Sequence, residues 1–315
     1  MKGKTVLKVL NISKDFGQTH ALKDVSVDIE QGEIIGLIGE NGSGKSTLSS
    51  IISGVYPATK GTMELDGETY LPANPMDAQK HGISMIAQEM GTLPGIRVAD
   101  NIFLGKEQLF VKKGVVNRKK MYEEAKHAME NIGIENINPE DPITRYSLEE
   151  RKLVEVVRAL YSDPRIFIVD ETTTALSQKG RNLIYQIIRK LKAENKTVLF
   201  ISHDLEELME ICSKMIVLRD GVYIAELQKE EFQEDRIKEL MVGRKLTGDY
   251  YRSDYDGSCS DEIVLKGTDI HVGESVKGVS LELHKGEIRG TGGLTDCGMH
   301  ELRRPHSGSP QLLYG

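Results

Sequence analysis

The chain has 315 residues, with 41 lysines and arginines against 48 aspartates and glutamates, a formal net charge of −7. Hydrophobic residues make up 39% and charged residues 28%, a globular composition with enough length for one large or two ordinary domains. The acidic balance disfavours a nucleic-acid partner held by bulk charge, and no apolar run approaches the ~18 residues that cross a bilayer.

The N-terminus MKGKTVLKVLNISKDF has no apolar h-region, so no signal peptide is expected. Strands are expected at 5–10, 25–30, 33–38 and 61–65, with a helix over 45–53. A strand at 83–87 comes next, then helices at 118–132 and 148–161. Further on, strands 165–170, 197–201, 214–219 and 222–226 alternate with helices 179–193, 204–211 and 232–241. The runs IIGLI, IFIVD and VLFIS lack polar alternation, which predicts strands buried on both faces in a mostly parallel, helix-covered α/β sheet. Asp-Gly pairs at 66–67 and 220–221 mark antiparallel turns. Cys212, Cys259 and Cys297 have neither disulfide-framework nor zinc spacing, as expected of a soluble protein of a reducing compartment.

After Leu246 the polar, Tyr/Ser/Asp-rich stretch 247–262 reads as a linker. The segment 276–302 then overlays 22–48 without gaps. Val25, Ser26, Gly32, Glu33, Ile34, Gly36, Gly39, Gly44 and Leu48 return as Val279, Ser280, Gly286, Glu287, Ile288, Gly290, Gly293, Gly298 and Leu302. One whole domain and the opening of a second are expected.

Gly39-Glu-Asn-Gly-Ser-Gly44-Lys45-Ser46 is a G-x-x-x-x-G-K-S phosphate loop between a strand and a helix, the context that the motif needs. Its glycines let backbone N–H groups face a β-phosphate, and the helix N-terminus adds its positive end. Lys45 is expected to reach the β- and γ-phosphates and Ser46 to ligate Mg²⁺. Asp170-Glu171 ends an apolar strand; in a phosphate-loop protein the first acid holds Mg²⁺ through water and the second polarises the attacking water.

With Gln88 after a strand, Ser147 opening a helix and His203 after another strand, the order of motifs resembles the ATPase subunits of ABC transporters. The resemblance covers 1–246 throughout and 262–302 in part. The segments ADNIFLGKE (99–107) and MVGRKL (241–246), with the tandem repeat, resemble the ribose/galactose-type sugar-importer branch, whose members carry two ATPase domains in one chain. The resemblance implies a phosphate-loop NTPase fold with antiparallel β and helical subdomains. It divides the chain into an ATPase domain at 1–246, a linker at 247–261 and an incomplete, degenerate second domain at 262–315.

Carried over position by position, the resemblance implies that Phe16 stacks on adenine and that Gly39, Asn41, Gly42, Gly44, Lys45, Ser46 and Thr47 hold ATP. Ser46, Gln88 and Asp170 hold Mg²⁺, Glu171 is the hydrolytic carboxylate, and Gln88 and His203 sense the γ-phosphate. Ser147 serves the nucleotide of the opposite domain, and Thr174–Ser177 fill the loop that crosses the dimer interface. The implied partners are transmembrane permease subunits, indirectly a solute-binding protein, and a second ATPase domain, at the cytoplasmic face of the cell membrane with no nucleic acid.

Two departures bear on mechanism. The family signature Leu-Ser-x-Gly-Gln is here Tyr146-Ser147-Leu148-Glu149-Glu150, in which Ser147 and Glu150 also form a capping box. Glu149 puts an anion where a glycine lets the phosphate approach; like charges ~4 Å apart at an effective ε of 20 repel by several kcal/mol. Slow turnover is therefore expected, relieved by Glu149→Gly, unless Glu149 turns outward and merely complements its helix dipole. In the repeat, Lys45 and Ser46 become Met299 and His300, so the second loop lacks its phosphate lysine and Mg²⁺ hydroxyl. A conservative third departure puts Thr172 where the family has proline. The rival readings are a nucleotide-binding module with little turnover and a non-transport ABC ATPase acting on ribosomes or DNA. A small GTPase is disfavoured because Asn195-Lys196-Thr197-Val198 lacks the guanine-reading aspartate.

Overall fold

The computed structural model describes residues 4–244, 258–273, 276–293 and 297–303, and the chain divides into two units, Met1–Leu246 and Thr247–Gly315. In the first unit β1 (Thr5–Phe16) turns back at Gly17, whose φ is +61°, into the antiparallel β2 (Thr19–Glu30). Both strands outrun the expected 5–10 and 25–30. Ser13, Lys14 and Asp15 in one strand and His20, Lys23 and Asp24 in the other hide the apolar alternation that marks a strand.

The buried β3 (Ile34–Ile38) leads to α1 (Lys45–Ile52). Next come β4 (Lys60–Leu65), an Asp66-Gly67 turn and β5 (Glu68–Tyr70). A short α2 (Pro75–Lys80), capped by the Asn74 side chain, precedes β6 (Ile83–Ile86), and α3 (Val98–Ile102) follows. Neither of these helices is long enough to show a periodic apolar face, so the pattern missed them. A hairpin of β7 (Val111–Lys112) and β8 (Val115–Val116) leads into α4 (Arg118–Glu130) and α5 (Leu148–Leu160).

The remaining elements alternate as expected: β9 (Ile166–Asp170), a 3₁₀ turn at Thr172–Ala175, α6 (Gln178–Ala193), β10 (Thr197–Ile201) and α7 (Leu205–Ile211). Then β11 (Lys214–Arg219) and β12 (Val222–Gln228) flank Asp220-Gly221, and α8 (Glu234–Val242) closes the unit.

Six strands form one sheet in the order β12-β11-β3-β10-β9-β6, parallel except for β12, and four form an antiparallel sheet in the order β2-β1-β4-β5. Successive side chains of the parallel strands serve opposite faces. Ile34, Phe167, Val169, Val198 and Phe200 pack with residues from α3 to α8 in one core. Ile35, Leu37, Ile166, Ile168 and Leu199 pack with α1 and the antiparallel sheet in the other. This explains why such strands carry no polar alternation. Cys212, just past α7, is buried against Gly36, where a Cβ would meet its Sγ at 3.0 Å, and burial pushes its thiol up.

The second unit contains β13 (Ile263–Val272), the antiparallel β14 (Val276–His284) and α9 (Met299–Arg303). Its β14 carries the residues that overlay 22–30 of β2. Most of the expected linker, the side chain of His300 and residues 304–315 lie outside the described residues.

Candidate functional site

At the end of β3 the chain turns into α1 through a loop that glycine alone can form. A Cβ on Gly39 would lie 2.1 Å from Leu218 O, and one on Gly44, whose φ is +99°, 2.5 Å from Leu22 Cδ2. Lys45 is 5% exposed and donates from Nζ to Gly39 O at 2.8 Å and Glu40 O at 3.0 Å. Burial lowers its pKa, against the nearby charges of Glu171 and Asp170. Among the described residues helix α1 has no side-chain cap and no acid in its own first turn, which leaves its N-terminal amides open to an anion. Ser43 Oγ is buried within the loop without a hydrogen-bond partner among the described residues. Asn41 and Gly42 are exposed on the loop, and Thr47 is half-buried behind it.

Buried Asp170, the last residue of β9, accepts from Ser46 Oγ and Ser49 Oγ, both at 3.4 Å. Burial, reinforced by the Glu171 charge, raises its pKa, while the two serines and Lys45 oppose the rise. Glu171 adopts a left-handed backbone with φ +43°, which costs a non-glycine residue about 1–2 kcal/mol. Its N–H is held by Ile201 O at 2.9 Å. Its Oε2 accepts from Gln88 Nε2 at 2.9 Å and lies 3.8 Å from His203 Nδ1. Gln88, Glu171 and His203 thus converge on one carboxylate oxygen.

Two buried charged clusters around these residues escaped the sequence reading. Glu207 accepts from Thr173 Oγ1 at 3.0 Å, Ser202 Oγ at 2.6 Å and Tyr185 OH at 2.6 Å, tying the turn after Glu171 to the residue before His203. Lys152, 1% exposed on α5, donates to Ala87 O at 2.8 Å, Glu89 O at 3.1 Å and Glu155 Oε2 at 3.0 Å. Glu155 also accepts from Gly91 N–H, so the pair grips the segment that carries Gln88. A KxxE spacing on a helix is too common to have signalled this.

Phe16 is 43% exposed and meets Tyr56 edge-to-face at 5.4 Å, with the Lys14 ammonium 5.0 Å from its ring centre. A cleft of about 730 Å³ is lined by Phe16, Tyr56, Ser46, Thr47, Gln88 and Asp170 among others. Ser147 is not among its lining residues. It caps α5 in the expected box with Glu150. Glu149 has a partner within its own domain: its carboxylate accepts from Ser177 Oγ at 2.7 Å and Ser177 N at 3.2 Å.

The donor set fits Mg²⁺ and a phosphate ester. A hydroxyl, a carboxylate and an amide oxygen are hard ligands, and no group of three or more His, Cys, Asp or Glu side chains that could hold a metal occurs among the described residues. Ser46, Asp170 and Gln88 therefore suit a cation that completes its shell with water and phosphate oxygens. The orphan Ser43 hydroxyl and the uncapped α1 N-terminus suit the anion itself.

The ABC transporter family model matches residues 22–174. The ribose import ATP-binding protein RbsA of Shouchella clausii is 35% identical over 98% of this chain and 62% of its own length. RbsA 2 of Escherichia coli O157:H7 is 36% identical over 100% of this chain and 60% of its own. The chain thus spans about three fifths of the length of the curated relatives it matches. An ATP-binding cassette of an ABC transporter in its ADP conformation superposes with a TM-score of 0.65 at 28% identity, over 76% of this chain and 99% of that one. A dimeric bacterial ABC transporter cassette gives 0.63 at 25% identity, over 72% and 100%. Phosphate loop, strand-end carboxylates, sheet order and relatives agree: residues 22–174 are an ABC-transporter ATPase domain.

Proposed function

We propose that the chain is the ATP-binding and hydrolysing subunit that energises import of a sugar or similar small solute. The observation that carries this reading is the meeting of Ser46 with Asp170 beside a Glu171 carboxylate shared by Gln88 and His203. The names of the ribose-import relatives support the solute class. Mg²⁺ held by Ser46, Asp170 and Gln88 would supply positive charge to offset the negative charge of the phosphates. Lys45 fixes a cation at the loop, Glu171 accepts a proton from or orients the attacking water, and His203 and Gln88 hold that carboxylate in place. Phe16 offers a ring face to the adenine.

The partners are transmembrane permease subunits, a second ATPase domain and, through the permease, a solute-binding protein. Val55, Tyr56, Met76 and Leu104 are exposed and line the same cleft as Gln88, which supports docking of a permease segment there. Among the described residues no helix is long and apolar enough to cross a membrane. Peripheral attachment at the cytoplasmic face follows from this role.

The first test is MgATP binding and phosphate release by the full chain. Lys45→Ala is expected to lose both, and Glu171→Gln to bind MgATP while turnover falls about 10²–10³-fold. Equal turnover in wild type and Glu171→Gln would overturn the assignment. A second reading, a nucleotide-binding module with little turnover, is favoured by Met299 and His300 at the repeat positions of Lys45 and Ser46. Tight MgATP binding without phosphate release selects it.

A further inference from the structure

Glu149 receives both polar hydrogens of Ser177, through Oγ at 2.7 Å and N at 3.2 Å. Ser177 also caps α6, its Oγ accepting from Gly180 N–H at 3.3 Å. One carboxylate therefore joins the first turn of α5 to the N-cap of α6, with two helix N-termini favouring its charge. Gly180 makes the space: a Cβ there would stand 2.4 Å from Glu149 Oε1. Glycine inside a helix is destabilising relative to alanine, so its presence at this position has a packing reason, and the carboxylate is that reason. Capping α6 needs Ser177 alone. The tie to Glu149 does something more.

The tied segment starts immediately after Glu171. Thr173, near its beginning, is anchored on Glu207, and Ser177, at its end, on Glu149. Glu171 itself sits in a left-handed backbone conformation that the surrounding chain must hold. We propose that Glu149 is a positioning residue: by locking Ser177 to α5 it fixes segment 172–177 and so keeps Glu171 oriented for hydrolysis. The proposal rests on the reading of Glu171 as the hydrolytic carboxylate. It reverses the sign expected from charge repulsion, because loss of Glu149 slows the enzyme.

The test compares wild type, Glu149→Ala, Glu149→Gln, Gly180→Ala and the Glu149→Ala/Gly180→Ala double variant as full chains. Steady-state phosphate release and amide exchange at Ser177 are read for each. Gly180→Ala favours the helix yet displaces the flexible end of Glu149 and crowds Leu176 Cβ at 3.2 Å, so the melting midpoint is read beside turnover to separate positioning from stability. Glu149→Ala and Gly180→Ala are each expected to lower kcat about tenfold, with half-saturation by MgATP changed less than about twofold. The double variant falls no further than either single one, because both break one contact. Glu149→Gln, which can still accept from Ser177 N–H, stays within about threefold of wild type. Ser177 exchange quickens in the two slow variants and not in Glu149→Gln.

Unchanged or faster turnover in Glu149→Ala, or wild-type turnover in Gly180→Ala, overturns the proposal. If the wild-type chain releases no phosphate, the ATPase reading fails by itself. The tie is then judged on exchange, and unaltered Ser177 protection in Glu149→Ala and Gly180→Ala sinks it.

Discussion

Asp170, the proposed Mg²⁺ ligand, shows the cost of keeping a carboxylate dry. Burial raises its pKa in the folded protein, so the native state holds its proton at pH values where the unfolded chain has released it. Stability contributed by this group is therefore lost as pH rises through the folded pKa and is not regained above it. Asp170→Asn keeps an acceptor for one serine and gains a donor for the other, without the buried charge. In metal-free protein at pH 7 it is expected to raise the melting midpoint by about 2–4 °C while abolishing Mg²⁺-dependent turnover. The gain should vanish near pH 3, below the unfolded pKa, where the unfolded aspartate also holds its proton. A melting scan of both proteins at the two pH values decides it, and a wild type more stable at pH 7 refutes the account.

At the scale of elements, α5 carries more than its amphipathic pattern declares. Ser147 caps it, Glu149 reaches α6, and Lys152 with Glu155 clamps the backbone of 87–91. Removing one partner of a buried ion pair costs about 3–5 kcal/mol, whereas losing a helix cap costs about 1 kcal/mol. Lys152→Met is accordingly expected to lower the urea midpoint far more than Ser147→Ala, and the reverse order would show the pair to be dispensable.

The same helix marks the limit of sequence reading. Its start was legible because a capping box is a local signal, and β3, β9 and β10 were legible because wholly buried strands leave unbroken apolar runs. The phosphate loop was legible because its chemistry lies in consecutive residues. The clamp was not, because Lys152 meets carbonyls more than sixty positions away and no periodicity records such a meeting. Glu149 was read from its charge and neighbours in sequence. Its actual partner depends on how α6 is placed and on the absence of a side chain at Gly180.

At the scale of the whole molecule, the two units differ in how much they bury. Among the described residues of the second, β13 and β14 pair only with each other and Val276 is the one buried apolar side chain. A two-stranded hairpin is marginally stable by itself in water. Amides in 263–272 and 276–284 are expected to exchange at least about 10³-fold faster than those at the centres of β9 and β10, which open only with the unit as a whole. Equal protection across both sets would contradict this. Cysteine placement makes the contrast chemically countable. Cys259 and Cys297 are exposed, whereas Cys212 is sealed against Gly36 with its thiol pushed up by burial. An alkylating reagent should therefore add two adducts at once and the third only as often as α7 lifts from β3. The spacing in time between the second and third mass increments is a clock for opening of the sheet, wound into the chain without any added label.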